Sequence, residues 1–367
     1  MNRLGKTFAL ALILAVAPAA ALAGSSPVAG SWRKLPAAGI VVNESLSSVW
    51  TGKQLIVFGR QRVGTKRVNV AATYDPTAGA WHRLTPPRGE TTGLGYRGTL
   101  WTGKEMLAWA PFEGLAFNPV TNEWRTLRHS LPGGIMVWTG SEAIGWGGGC
   151  CGDAWSNGAA YNPATDTFRK LARSPLAPSQ GPVGAWTGRE LVLFVSGYDP
   201  DGKRYPARFA RAAAYNPTTN TWRRIAPLPE PGGTAAWDGR EVLVASGGAH
   251  SQSALAYNPA TNRWRRLASL PTGRFGAAPV WTGKRLLLWG GEHVRTSAVV
   301  RGGLAYNPRT NRWSVIPPGP LKARGSSAVA WTGRALIVWG GEIGTPLGTS
   351  IPPRYPADGA VFTPMTP

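Results

Sequence analysis

Acidic residues are scarce in this chain. Its 367 residues hold 18 Asp and Glu against 40 Lys and Arg, a formal net charge of +22, and charged residues make up only 16%. Cysteine and histidine are scarcer still, at 2 and 4. Cys150 and Cys151 are the only cysteines and stand side by side, which excludes a framework of disulfide staples. Long apolar runs are missing beyond the N-terminus. No later stretch approaches the ~20 apolar residues that a membrane-spanning helix needs. Phosphate-binding glycine loops, nucleophile elbows and zinc motifs are also missing. Asp199-Pro200-Asp201-Gly202 has too few ligands for a calcium loop and reads as a turn. In abundance instead are Gly 48, Pro 32 and Trp 18, a composition of many short strands between tight turns rather than long amphipathic helices.

The N-terminus is set apart from the rest. Arg3 and Lys6 precede the apolar run Phe8 to Val16, and Ala21-Leu22-Ala23 closes a small-residue stretch before Gly24. That order predicts a secretory signal peptide over 1–23, too short for a stable membrane span, and an extracytoplasmic mature protein over 24–367, in the periplasm, at the cell surface or released.

An apolar strand ending in Trp-Thr-Gly recurs at Trp50, Trp101, Trp138, Trp186, Trp237, Trp281 and Trp331, the fifth copy reading Trp-Asp-Gly with Asp238. A second apolar run follows each, such as Leu286-Leu287-Leu288-Trp289. In four copies it leads into a glycine pair: Gly147-Gly148, Gly247-Gly248, Gly290-Gly291 and Gly340-Gly341. Next comes an aromatic followed by Asn-Pro or Asp-Pro, at Tyr74, Phe117, Tyr161, Tyr215, Tyr257 and Tyr306. A second aromatic always stands seven residues later, at Trp81, Trp124, Phe168, Trp222, Trp264 and Trp313. A fixed hairpin keeps such an interval and a helix does not. Each unit therefore reads as four antiparallel strands, and repeats of that length are propeller blades. The seventh unit lacks its fourth strand, and Ser31-Trp32-Arg33-Lys34-Leu35 supplies one at the other end of the chain. The expected fold is an all-β, seven-bladed β-propeller with four antiparallel strands per blade, its last blade closed by the N-terminal strand.

These motifs resemble the kelch-repeat β-propeller family, whose relatives include the central domain of galactose oxidase and which has secreted bacterial members. The resemblance rests on double glycines such as Trp339-Gly340-Gly341 and on the Tyr257-to-Trp264 interval, and it spans the mature chain. The glycine pair is absent at Gly59-Arg60, Ala110-Pro111 and Ser196-Gly197, so three blades depart from the pattern. A copper-oxidase site is not implied, because such a site needs two His, tyrosinate ligands and a Cys-Tyr crosslink. Here His82 lies in an outer strand and the cysteines neighbour each other. No cofactor or metal is expected.

Alternate connections of antiparallel blades lie on opposite faces. One face carries the short, uniform turns; the other carries loops of unequal length, such as 196–212, where a binding surface is expected. The ligand-binding candidates there are Arg60, Arg62, Lys66, Arg67, Tyr96, His129, Tyr198, Lys203, Arg204, Tyr205, His250, Glu292, His293, Arg295, Glu342 and Tyr355. No catalytic set is assembled. The chain reads as a binding module for a glycan, an anionic envelope polymer or a protein. The alternative is an epimerase- or lyase-like carbohydrate enzyme using an acid/base pair such as Glu292 and Glu342 at the central channel.

The charge remains +20 with Arg3 and Lys6 set aside. Basic residues follow Trp-Thr-Gly at Lys53, Lys104, Arg189, Arg240, Lys284 and Arg334. Others follow the second aromatic at Arg33, Lys34, Arg83, Arg125, Arg169, Lys170, Arg223, Arg224, Arg265 and Arg266. Such a distribution around the whole ring predicts protection of exposed sheet edges. It argues against nucleic acid, which prefers one patch with stacking aromatics. Adjacent Cα atoms lie ~3.8 Å apart, below the usual disulfide span. A Cys150–Cys151 disulfide would therefore be a strained vicinal ring, expected here as a rigid loop element.

Overall fold

The computed structural model describes residues 27–87, 98–109, 114–149, 152–198, 202–230, 232–245, 252–293, 298–344 and 353–365. The segment 1–26, and with it the expected signal peptide, lies outside them, as do Tyr96, Cys150, Cys151, His250 and Arg295. Every regular element among the described residues is a β-strand.

The second strand of each unit explains the chain's unbroken apolar runs. Leu55-Ile56-Val57-Phe58, Leu191–Phe194 and Leu286–Trp289 are buried at every position. A strand covered on both faces has no solvent side to encode, so it does not alternate. The covering surfaces are neighbouring sheets. Seven apolar clusters each join two adjacent sheets, and the last, which holds Leu35, Leu55, Tyr74, Ile337 and Trp339, joins the seventh to the first. The core is thus divided into seven wedges rather than gathered in one centre.

Seven antiparallel four-stranded sheets result, arranged as a seven-bladed β-propeller. The blades occupy 44–83, 98–127, 135–170, 183–224, 234–266, 278–316 and 328–364. Innermost strands touch in sequence around the axis, and Ala328–Trp331 touches Glu44–Trp50 to complete the circle. The seventh blade is completed as expected: Gly30–Lys34 pairs antiparallel with Gly359–Pro364, with Trp32 opposite Phe362. One unanticipated addition is a two-stranded ribbon, Arg274–Phe275 against Glu292–His293, above the sixth blade.

The uniform turns have a common chemistry. Thr102 Oγ1 accepts the amides of Lys104 (3.2 Å) and Glu105 (2.9 Å), and Gly103 takes a φ of 96°. In the variant copy Asp238 Oδ1 accepts the amides of Arg240 and Glu241 instead, so Asp replaces Thr without loss of the turn. In the outer hairpin, the fifth residue after the tyrosine adopts left-handed backbone: Asp166, Asn220, Asn262 and Asn311 have φ of 50–55°. Asn and Asp tolerate this conformation at low cost. The glycine pairs serve close approach. A Cβ on Gly290 would lie 2.6 Å from the Arg324 carbonyl oxygen, and one on Gly291 would lie 2.7 Å from that of Phe275.

Candidate functional site

The fold assigns the two faces. The turns after Trp-Thr-Gly and the outer hairpin turns share one face; the connections within and between blades that vary in length share the other.

On the uniform face, the cations that follow the outer aromatic have a task the sequence did not disclose. Arg169 Nε and Nη2 donate to Glu142 Oε1 (2.9 Å) and Oε2 (2.6 Å) of its own blade. Its Nη1 donates to the Tyr215 hydroxyl (2.8 Å) of the next blade. Tyr215 donates to Asn220 Oδ1 (2.7 Å), which also accepts the Ala172 amide, while Trp222 Nε1 donates to the Ala172 carbonyl. Arg125 makes the same clasp with Glu105 and Tyr161. Arg223 and Arg265 grip Glu190 and Glu241 and lie against Tyr257 and Tyr306. Burial pushes all four phenols upward, and the neighbouring guanidinium only partly offsets it. Toward the loop face, Arg83 donates to the Gly39 carbonyl, Arg224 to that of Arg208, and Arg266 pairs with Glu230. Most of these outer-strand residues are therefore also bonded within or between blades.

The loop face holds the described candidates in three groups. The first is not a loop at all. Leu55–Val63 and Lys66–Asp75 continue as a paired hairpin out to Val63 opposite Lys66. Arg60 and Arg67 of this arm both reach Glu44, at 3.1 and 3.0 Å, while Arg62 and Lys66 are exposed. Glu44, Glu342 and Tyr355 lie close enough that the two carboxylates, after burial, raise the Tyr355 phenol. Glu44, which the sequence did not single out, is therefore the centre of this group.

The second group lies at the fourth blade. Tyr198 bridges to Arg204, and Tyr205 packs edge-on against Phe209 with ring centroids 5.9 Å apart. Arg204 and Tyr205 line a pocket of about 290 Å3 with Phe209, Arg211 and Arg224. No Asp or Glu is among its described lining residues, and Lys203 is exposed beside it. The third group is the ribbon carrying Glu292 and His293. Glu292 is exposed and pairs through its backbone with Val299. Glu292 and Glu342 form no ion pair with any described residue. His129 stands apart, its ring edge-on to Phe168 at 4.9 Å. Beneath the loops, two arginines are buried. Arg274 donates to the Gly290 and Gly302 carbonyls, and burial lowers its pKa to about 10. Arg324 pairs with Asp358 at 2.6 Å. Their bonds to the glycine-pair carbonyls make them struts of the loop face.

A cavity of about 1310 Å3 opens on the opposite, uniform face, over the seventh, first and second blades. None of the candidates among the described residues lines it. Its cations are Arg33, Lys53, Lys104 and Arg334, its carboxylate is Asp75, and Trp50 and Trp101 stand at its wall. The backbone amides of Ala78 and Thr77 hold the Asp75 carboxyl below its usual range. Among the described residues no group of three or more His, Cys, Asp and Glu could hold a metal ion, and no helix is long and apolar enough to cross a membrane. No protein-family model and no curated protein matches the chain.

Proposed function

We propose that this propeller is an exported recognition module of the kelch type that holds an anionic glycan or envelope polymer on its unequal loops. One observation carries the reading: the fourth-blade pocket joins three arginines to Tyr205 and Phe209 with no carboxylate in its described lining. Arginine forks suit oxyanions, and aromatic rings offer flat apolar area for the faces of sugar rings. Support for export comes from the charge, apolar run and Ala-x-Ala order of the first 23 residues. The double glycines and the fixed tyrosine-to-tryptophan interval support the kelch assignment.

Retention of acidic and neutral glycans, and of envelope extracts, on the immobilised mature chain tests this. Acidic polymers should be held at low salt and released at high salt, because exposed charge is screened. A chain that retains nothing above background, or that turns over a sugar substrate, would not be such a module.

A further inference from the structure

The Arg–Glu–Tyr clasp fails at one point of the ring. The residue four places after the inner tryptophan is Gln54, Glu105, Glu142, Glu190, Glu241, Arg285 and Ala335 in blades one to seven. The residue after the outer aromatic is His82, Arg125, Arg169, Arg223, Arg265, Ser314 and Arg33 in the same order. Four blades pair Glu with Arg, two blades have lost both, and the seventh alone keeps the arginine without the glutamate.

Arg33 still donates to the Tyr74 hydroxyl of the next blade, through Nη2 at 3.3 Å, where Arg125 and Arg169 use Nη1. The Ala335 methyl, however, occupies the place where a carboxylate grips the guanidinium in the other four. Arg33 is exposed and forms no ion pair with a described residue. It faces the 1310 Å3 cavity together with Lys53, Lys104 and Arg334, all exposed.

We propose that this cavity is a second binding site, on the uniform face, in which a carboxylate of an acidic glycan takes the place of the missing glutamate on Arg33. The sibling blades define the chemistry. There the same fork holds a planar carboxylate through two parallel bonds of 2.6–2.9 Å in the third and fourth blades. Lys53, Lys104 and Arg334 extend the positive field around the axis for further carboxylates, and Trp50 and Trp101 supply apolar wall for sugar rings. Among the described lining residues Asp75 is the one carboxylate, and it opposes an anion. This site goes beyond the loop-face reading and does not depend on it.

The test uses the full mature chain carrying Arg204→Ala and Arg211→Ala, so that the loop-face pocket is disabled. An oligogalacturonate is the probe, followed by calorimetry and Trp fluorescence. Ala335→Glu restores the repeat, so it should raise the melting temperature and weaken probe binding by about ten- to hundredfold. Asp75→Asn, which installs the residue found at 118, 162 and 216, should tighten binding. A neutral oligosaccharide should not compete. Unchanged affinity in Ala335→Glu, no binding by the parent, or tighter binding of an oligoglutamate would each overturn the assignment. Loss of retention by the Arg204→Ala/Arg211→Ala change alone bears on the loop face instead.

Discussion

At the scale of single residues, the charge of this protein is mostly structural where it meets carboxylates. Arg169 is about one-third exposed and Glu142 about one-fifth, so their pair is neither a screened surface contact nor a buried one. The Arg169 fork also bonds Tyr215, so its loss leaves a buried phenol and a carboxylate short of donors. Arg169→Met should destabilise the fold by about 1–3 kcal/mol. In a double-mutant cycle with Glu142→Gln, denaturant unfolding should reveal coupling of about 0.5–2 kcal/mol; additivity would mean that the clasp is decorative. The phenols set an alkaline limit. Tyr161, Tyr215, Tyr257 and Tyr306 are raised above the ordinary 10.0, mainly by burial. A raised acid favours the fold fully below its ordinary pKa and loses that contribution as pH climbs through the raised value. Glu190 runs the other way, lowered mainly by the Arg223 hydrogen bond, so its contribution holds above 4.5 and fades as pH falls through the depressed value. Unfolding midpoints measured across pH should therefore form a plateau that descends above about pH 10 together with late phenol ionisation. Descent already at neutral pH would contradict this.

At the scale of the element, the outer hairpin works as a latch. Asn262 has a φ of 55°, accepts the Tyr257 hydroxyl at 2.9 Å and accepts the Ala226 amide of the preceding blade at 2.8 Å. Trp264 donates to the same residue's carbonyl at 3.2 Å, so Ala226 is gripped through both of its flanking peptide groups. Asn262→Gly should lose only the side-chain bonds, whereas Asn262→Ala should also incur about 1–2 kcal/mol of left-handed strain. Thermal melts of the two variants should rank Gly above Ala; the reverse order would show that the backbone conformation is unimportant. This latch was legible, because its tyrosine, turn residue and tryptophan keep a local spacing. The clasp was not. Arg169 finds its partners 27 residues back and 46 residues ahead, and only blade stacking reveals that the intervals belong together. The hairpin arm around Val63 escaped notice for a related reason. Its outer residues are exposed on both faces, so they show no burial period and resemble a loop.

At the scale of the whole molecule, seven wedges of core depend on one another because each is shared between neighbours. A ring assembled from such units has one joint that local hairpins cannot close, and here the strand Gly30–Lys34 closes it. Trp32 packs against Phe362 and Trp289 at centroid distances of 5.2 and 5.1 Å, and its Nε1 donates to the Pro317 carbonyl just after the sixth blade. That joint decides which connections share a face. It therefore decides whether Arg204 and Tyr205 belong to one surface and Arg33 and Lys53 to another. It was readable from the chain because the seventh unit is one strand short and the surplus strand carries the outer tryptophan. The cavity over the joint was not readable as a site, since its cations stand at ordinary repeat positions and only the absent glutamate at 335 sets Arg33 apart.

Amide hydrogen exchange of the mature protein, followed peptide by peptide, tests the closure most directly. A sealed ring predicts that peptides covering 30–34 exchange as slowly as those covering 359–364, and that both open together. Exchange of 30–34 at free-chain rates, while the other blades stay protected, would show that the seventh sheet has three strands and that the circle is open.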